Sequence, residues 1–240
     1  MRETAMQRQR SGSWLNIGKD FNTMTWVLIP VAIAINIAIG QIVVLLKLPV
    51  YLDSIGTVFV AAICGPWAGA LTGALSNIIW GVAVDPNALP WWPVAFFIGL
   101  VAGLMAKAGW FQTWWKVAVT GLVVALTAAL VSTPISVYVY GGITASGSSL
   151  ITAYLLQTGH NLLPAVLITN NLVEPFDKVS TCLLAFAIIQ GLSTRFLARF
   201  PRPENVQVQE GMTRTQLFIA VGVVIAVLAF YILVIVKLTQ

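Results

Sequence analysis

Charge is what this chain has least of. Of its 240 residues only 9% are Asp, Glu, Lys or Arg, where a soluble domain carries roughly 25%. That scarcity excludes an ordinary soluble fold. Histidine is nearly absent, His160 being the single one. Catalysis needs a convergent acid, base or nucleophile set, and one histidine with scattered carboxylates gives an intramembrane enzyme little to work with. The two cysteines, Cys64 and Cys182, both lie in apolar runs. They are too few for a disulfide scaffold or a Cys/His metal site and read as small core residues. No phosphate-binding loop occurs, so the chain does not hydrolyse ATP itself. Neither a metal nor a cofactor is expected.

What is abundant is apolar surface. Hydrophobic residues make up 58% of the chain and the mean hydropathy is +0.89. This is the composition of an all-α, polytopic membrane protein, and the length suits six or seven spans joined by short loops. The net charge of +5 reports topology rather than a nucleic-acid partner, because the basic residues cluster at span ends.

The chain is organised around residues 48–81. This stretch is too long for one span of about 20 apolar residues and short for two. Cys64-Gly65-Pro66 breaks it, and a proline suits a helix's first turn but not its interior. Two short or tilted helices with a tight turn follow. Gly65, Gly69 and Gly73 recur every four residues, which lets another helix backbone approach.

On either side the layout reads simply. Residues 1–22 form a basic cytoplasmic tail, and the first helix covers 23–46. Residues 82–93, rich in Pro and Trp, form an interfacial loop without regular structure. Helices follow over 94–108 and 116–139. Residues 150–173 read as interfacial helices on the outer side, because Gln157, His160, Asn161, Asn170 and Asn171 interrupt them. Glu174-Pro175-Phe176-Asp177-Lys178 opens the next helix, with Asp177 suited to its N-terminus. Residues 201–214 form a cytoplasmic linker, and a last apolar helix covers 215–238. With the N-terminus inside, most Lys and Arg fall at inner ends, including Lys107, Lys116, Arg195, Arg199, Arg202 and Arg214. That obeys the positive-inside rule. Treating 48–81 as one span and 150–173 as another reverses Lys107 and Lys116 and fits less well.

Ala34-x-x-x-Ala38 in the first helix, then PVYLDSIGT from Pro49, GPWAGALTG from Gly65 and EPFDK from Glu174 together resemble the substrate-binding S component of energy-coupling factor (ECF) transporters, vitamin importers of the ABC superfamily. The resemblance covers roughly residues 23–200. It implies a six-helix bundle in the plasma membrane, here with one extra C-terminal transmembrane helix in 215–240. It implies capture of a small, vitamin-like molecule at the outer face, and delivery by toppling on a transmembrane coupling protein driven by two cytoplasmic ABC ATPases. Ala34 and Ala38 would then contact the coupling protein. The ligand site would lie near the outer helix ends, where this chain offers Tyr51, Asp53, Asn77, Trp80, Trp91, Trp92, Asn170, Asn171 and Glu174.

Each of these residues also has a plainer reading. Ala34 and Ala38 could serve packing within the chain, and Asp53 a helix N-cap. Trp91 and Trp92 could be interfacial anchors rather than a stacking platform. Asn170, Asn171 and Glu174 are costly at membrane depth unless they face a cavity, but not at an interface. A membrane sensor module that binds a small ligand is the alternative function.

Overall fold

Gly65 and Pro66 divide the central stretch as their chemistry requires. Helix α1 (Thr23–Leu45) comes first and opens with a reciprocal cap. The Asn22 side chain accepts from the Thr25 amide at 2.8 Å, and the Thr25 hydroxyl accepts from the Asn22 amide at 3.4 Å. Helix α2 (Ile55–Cys64) ends at Gly65, whose φ of 122° is open to glycine and strained for other residues. Helix α3 (Pro66–Ala83) begins on a proline whose missing N–H is not needed there. The computed structural model describes residues 17–206, and all regular structure among them is helical. Helices α4 (Trp92–Met105), α5 (Trp114–Tyr138), α6 (Ser149–Gln157), α7 (Leu162–Gln190) and the short α8 (Thr194–Leu197) complete it.

Helix α2 is the core. All ten of its residues are buried, which is why its sequence shows no polar face. Helices α1, α3, α4 and α7 surround it. The α3–α4 contact is close because of its glycines. A Cβ at Gly73 would overlap the Ala95 carbonyl, and one at Gly99 would overlap the Gly69 backbone. Asn36, 1% exposed, is the polar tie between α1, α2 and α3. It donates to Thr57 Oγ1 and Ser76 Oγ at 2.9 Å each and accepts from the Gly56 amide at 2.7 Å. A buried amide so fully partnered costs little and fixes the register of three helices.

Among the described residues, three helical segments are long and apolar enough to cross a membrane: Thr23–Leu45, Pro86–Trp110 and Trp114–Tyr138. The expected count of six core spans plus one is not met in that form. Helix α2 has 10 residues, about 15 Å of helix against a hydrocarbon core of about 30 Å. Helix α7 has 29 residues and the length to span, but it carries Glu174, Asp177 and Lys178 in its middle. The helix expected over 215–238 lies outside the described residues.

Several expected boundaries move. Pro86–Trp91 is a 3-10 helix rather than irregular loop. Its entry is set by Asp85, which accepts from the Asn87 amide at 3.0 Å. Helix α7 starts at Leu162 and runs through Pro175, so 162–173 is not a separate interfacial segment. Asp177 lies mid-helix, not at a helix N-terminus. One proline removes one intrahelical bond, and tertiary packing of α7 against α5 outweighs that loss. The tail and linker boundaries also shift. Ile17–Asp20 forms a 3-10 turn with Asp20 fully buried, and Arg202, Asn205 and Val206 are buried too.

Candidate ligand-binding site

At the end of the bundle opposite Gly65, the chain after α1 folds over the helix ends. Lys47 and Leu52 both take positive φ there, 52° and 51°, and turn the backbone back towards α7. Helix α7 holds it. The Asp177 Oδ1 atom accepts from the amides of both Tyr51 and Leu52 at 2.8 Å. The Tyr51 hydroxyl reaches Ser148 Oγ, at the start of α6, at 3.0 Å. On the other side Tyr140, just past α5, donates to the Asn87 carbonyl at 2.6 Å and stacks on Trp91, ring centroids 5.2 Å apart and planes 7° apart.

Beneath these loops lies a cavity of about 120 Å³. An apolar cavity of about 150 Å³ holds a benzene ring, so this one accepts a compact small molecule. Its walls come from six helices and their loops, α1 contributing Val44. Helix α3 contributes Asn77 and Trp80, α4 contributes Val94, Ala95 and Ile98, and α5 contributes Ser132 and Ser136. Helix α6 contributes Thr152, and α7 contributes Thr169, Asn170, Glu174 and Lys178.

The charged wall is dense. Lys178 Nζ pairs with Asp177 Oδ2, lies 3.6 Å from Glu174 Oε2 and 4.0 Å from Asp53 Oδ1. It also stands 5.4 Å from the centre of the Tyr51 ring. Glu174 is 3% exposed, and its Oε2 atom makes no hydrogen bond. Asn77, 5% exposed, lines the same cavity and makes no side-chain hydrogen bond among the described residues. Burial pushes the Asp53 carboxyl above its ordinary value, Lys178 pulls it down, and Asp177 raises it further. Burial, with Glu174 adding to it, likewise raises the Tyr51 phenol, which therefore stays neutral at physiological pH.

Seven of the nine expected ligand residues meet here: Tyr51, Asp53, Asn77, Trp80, Trp91, Asn170 and Glu174. Two do not. Asn171 is exposed and donates to its own helix, to the Leu167 carbonyl at 2.8 Å. Helical geometry turns adjacent residues about 100° apart, so Asn170 faces the cavity and Asn171 cannot. Trp92 is 45% exposed and lines an apolar groove outside the bundle with Trp67 and Phe96. Asp53 is not a helix cap. Ser54 holds that position without a side-chain bond, while Asp53 accepts from the Ser54 hydroxyl at 2.8 Å. Lys178 and Tyr140 are additions to the expected set. The i, i+4 spacing of Glu174 and Lys178 signals their pairing once helix is assumed through Pro175; nothing in the sequence signals Tyr140. His160 is exposed and contacts Thr158 Oγ1 at 3.2 Å, away from the cavity.

Fold and site define a class: an all-helical protein with membrane-length apolar helices and a small polar chamber under loops at one end. Compared with family models, curated proteins and solved structures, the chain matches none of them.

Proposed function

We propose that the chain is the substrate-binding membrane subunit of an ECF-type importer, capturing a small molecule in the cavity beneath the Pro49–Ser54 loop. The observation that carries this reading is the cavity itself, walled by buried polar groups that the protein leaves short of partners. Glu174 Oε2 is the clearest. Polar groups inside a membrane bundle are costly and mark a binding role. In this reading α2 and α3 form a broken re-entering pair, α7 crosses with its charges turned inward, and the cavity faces outward. A non-enzymatic capture role suits a wall whose one lysine is already engaged by carboxylates.

The docking role of Ala34 and Ala38 follows from the same reading. Both are exposed on α1, in line with Val27, Val31 and Ile42. Packing among the described residues therefore does not explain them. The buried face of α1 is carried instead by Ile29, Ala32, Ile33, Asn36 and Val43. Ala34→Trp/Ala38→Trp is expected to leave the melting temperature of the isolated protein within about a degree while abolishing copurification with the coupling protein. Unchanged assembly would remove this docking surface from the proposal.

The function itself is tested by purifying the protein in detergent and identifying copurifying small molecules by mass spectrometry. Transport is then measured with the coupling protein and both ATPases present. A bound molecule whose uptake depends on all three partners is the expected result. Ligand binding with no uptake would favour a sensor.

A further inference from the structure

The chemistry of the charged wall narrows the ligand further. Asp53, Glu174 and Asp177 stand against one cation, Lys178. Asp177 is fully occupied by Lys178 and by the two loop amides. Glu174 Oε2 and Asp53 Oδ1 lie at 3.6 and 4.0 Å from Nζ, beyond hydrogen-bond reach. The wall of the cavity therefore carries more carboxyl groups than basic side chains, Lys178 being the only basic one on it among the described residues. An anionic ligand would bring a further negative charge against that surplus. No three His, Cys, Asp or Glu among the described residues are placed to hold a metal ion, and the point between these three carboxyls is held by Lys178 Nζ. The remaining walls are mostly Ser, Thr and small apolar residues, among which Tyr51, Trp80, Trp91 and Tyr140 supply aromatic surface, and aromatic faces attract a cation. The Asn77 side chain, on the cavity wall and with no hydrogen bond among the described residues, adds an orienting donor or acceptor.

We propose that the cavity binds an organic cation of about one ring in size, whose N–H groups are received by Glu174 and Asp53 and whose flat face lies against the aromatic wall. This inference rests on the small-molecule binding role proposed above and specifies its substrate class. The carboxylates supply charge and acceptors, Asn77 fixes orientation, and Lys178 holds Asp177 and the covering loop in place.

Three probes of nearly identical shape separate the charge classes: benzamidine, benzamide and benzoate. Binding of each at millimolar concentration to the purified protein in detergent is read by intrinsic-tryptophan melting and by calorimetric titration. Benzamidine is expected to raise the melting temperature and to bind at least tenfold tighter than either isostere. Glu174→Gln is expected to weaken benzamidine at least tenfold while the unliganded protein melts normally, since Lys178 keeps Asp177 as its partner. Asp53→Asn, in the covering loop, gives the same test should Glu174→Gln fold poorly. Preference for benzoate or benzamide overturns the cation class and leaves the binding role standing. No response to any probe overturns the cation class too, and the copurification experiment then decides the binding role separately.

Discussion

Lys178→Met should be among the most damaging single substitutions in the described structure. Its side chain is 3% exposed, and among the described residues it is the only counter-charge to Asp177, Glu174 and Asp53. Removing one partner of a buried ion pair typically costs about 3–5 kcal/mol, because the other charge is left desolvated and unpaired. Here three carboxylates are left. Asp177 also secures the loop that roofs the cavity, through the Tyr51 and Leu52 amides, so the loss reaches the site. The expected readout is a drop of many degrees in melting temperature in detergent, together with loss of ligand stabilisation. Lys47→Met serves as the control, since Lys47 is exposed and donates only to the Ala145 carbonyl at 3.2 Å. Asp177→Asn should partly rescue Lys178→Met. It removes the worst unpaired charge while its amide oxygen still accepts from the loop. A double-mutant cycle with no coupling between the two positions would show that they do not form a pair in the folded protein.

How far the sequence foretells this architecture depends on whether a residue's partner is local. The Gly65-Pro66 turn was legible because both residues act through their own backbones. The buried face of α3 was legible because small residues, Gly69 and Gly73 among them, repeat at helical spacing. The cavity residues were legible as a group, since polar side chains in apolar runs need a reason. Choosing within the group was not. Asn170 and Asn171 are identical as side chains, and only the phase of α7 separates them; a helix that begins after Val173 carries no such phase. Trp91 and Trp92 differ in the same way, one stacked on Tyr140 and one turned to the outer groove. Pro175 reads locally as a helix start, whereas packing carries α7 straight through it. Asp20 and Arg202 were hidden for a different reason. They are 182 residues apart, and each sits in a polar stretch that reads as tail or linker.

That distant pair gives the second large expectation. Arg202 donates through Nε and Nη2 to Asp20 Oδ1, at 2.7 and 2.6 Å, and its backbone amide donates to the Ile63 carbonyl at 3.0 Å. The other carboxylate oxygen of Asp20 accepts from the Trp67 amide at 2.9 Å, one of the unpaired N–H groups at the start of α3. Asn205 donates to the Ala62 carbonyl at 3.1 Å. Two polar stretches, one before α1 and one after α8, are thus clasped onto the single turn that joins α2 to α3. Asp20→Leu and Arg202→Leu should each cost about 3–5 kcal/mol, since each leaves a buried charge alone. The double variant should cost clearly less than their sum, because it leaves neither. Gly65→Ala attacks the same clasp sterically: a Cβ there meets both the Asp20 carboxylate and Arg202 Nε, on a backbone already at φ 122°. Its loss should therefore shrink in the Asp20→Leu/Arg202→Leu background, where the clash is relieved and only the backbone strain remains. Melting of all five proteins in detergent checks this, and a Gly65→Ala loss of equal size in both backgrounds would assign its whole cost to the turn and none to the clasp.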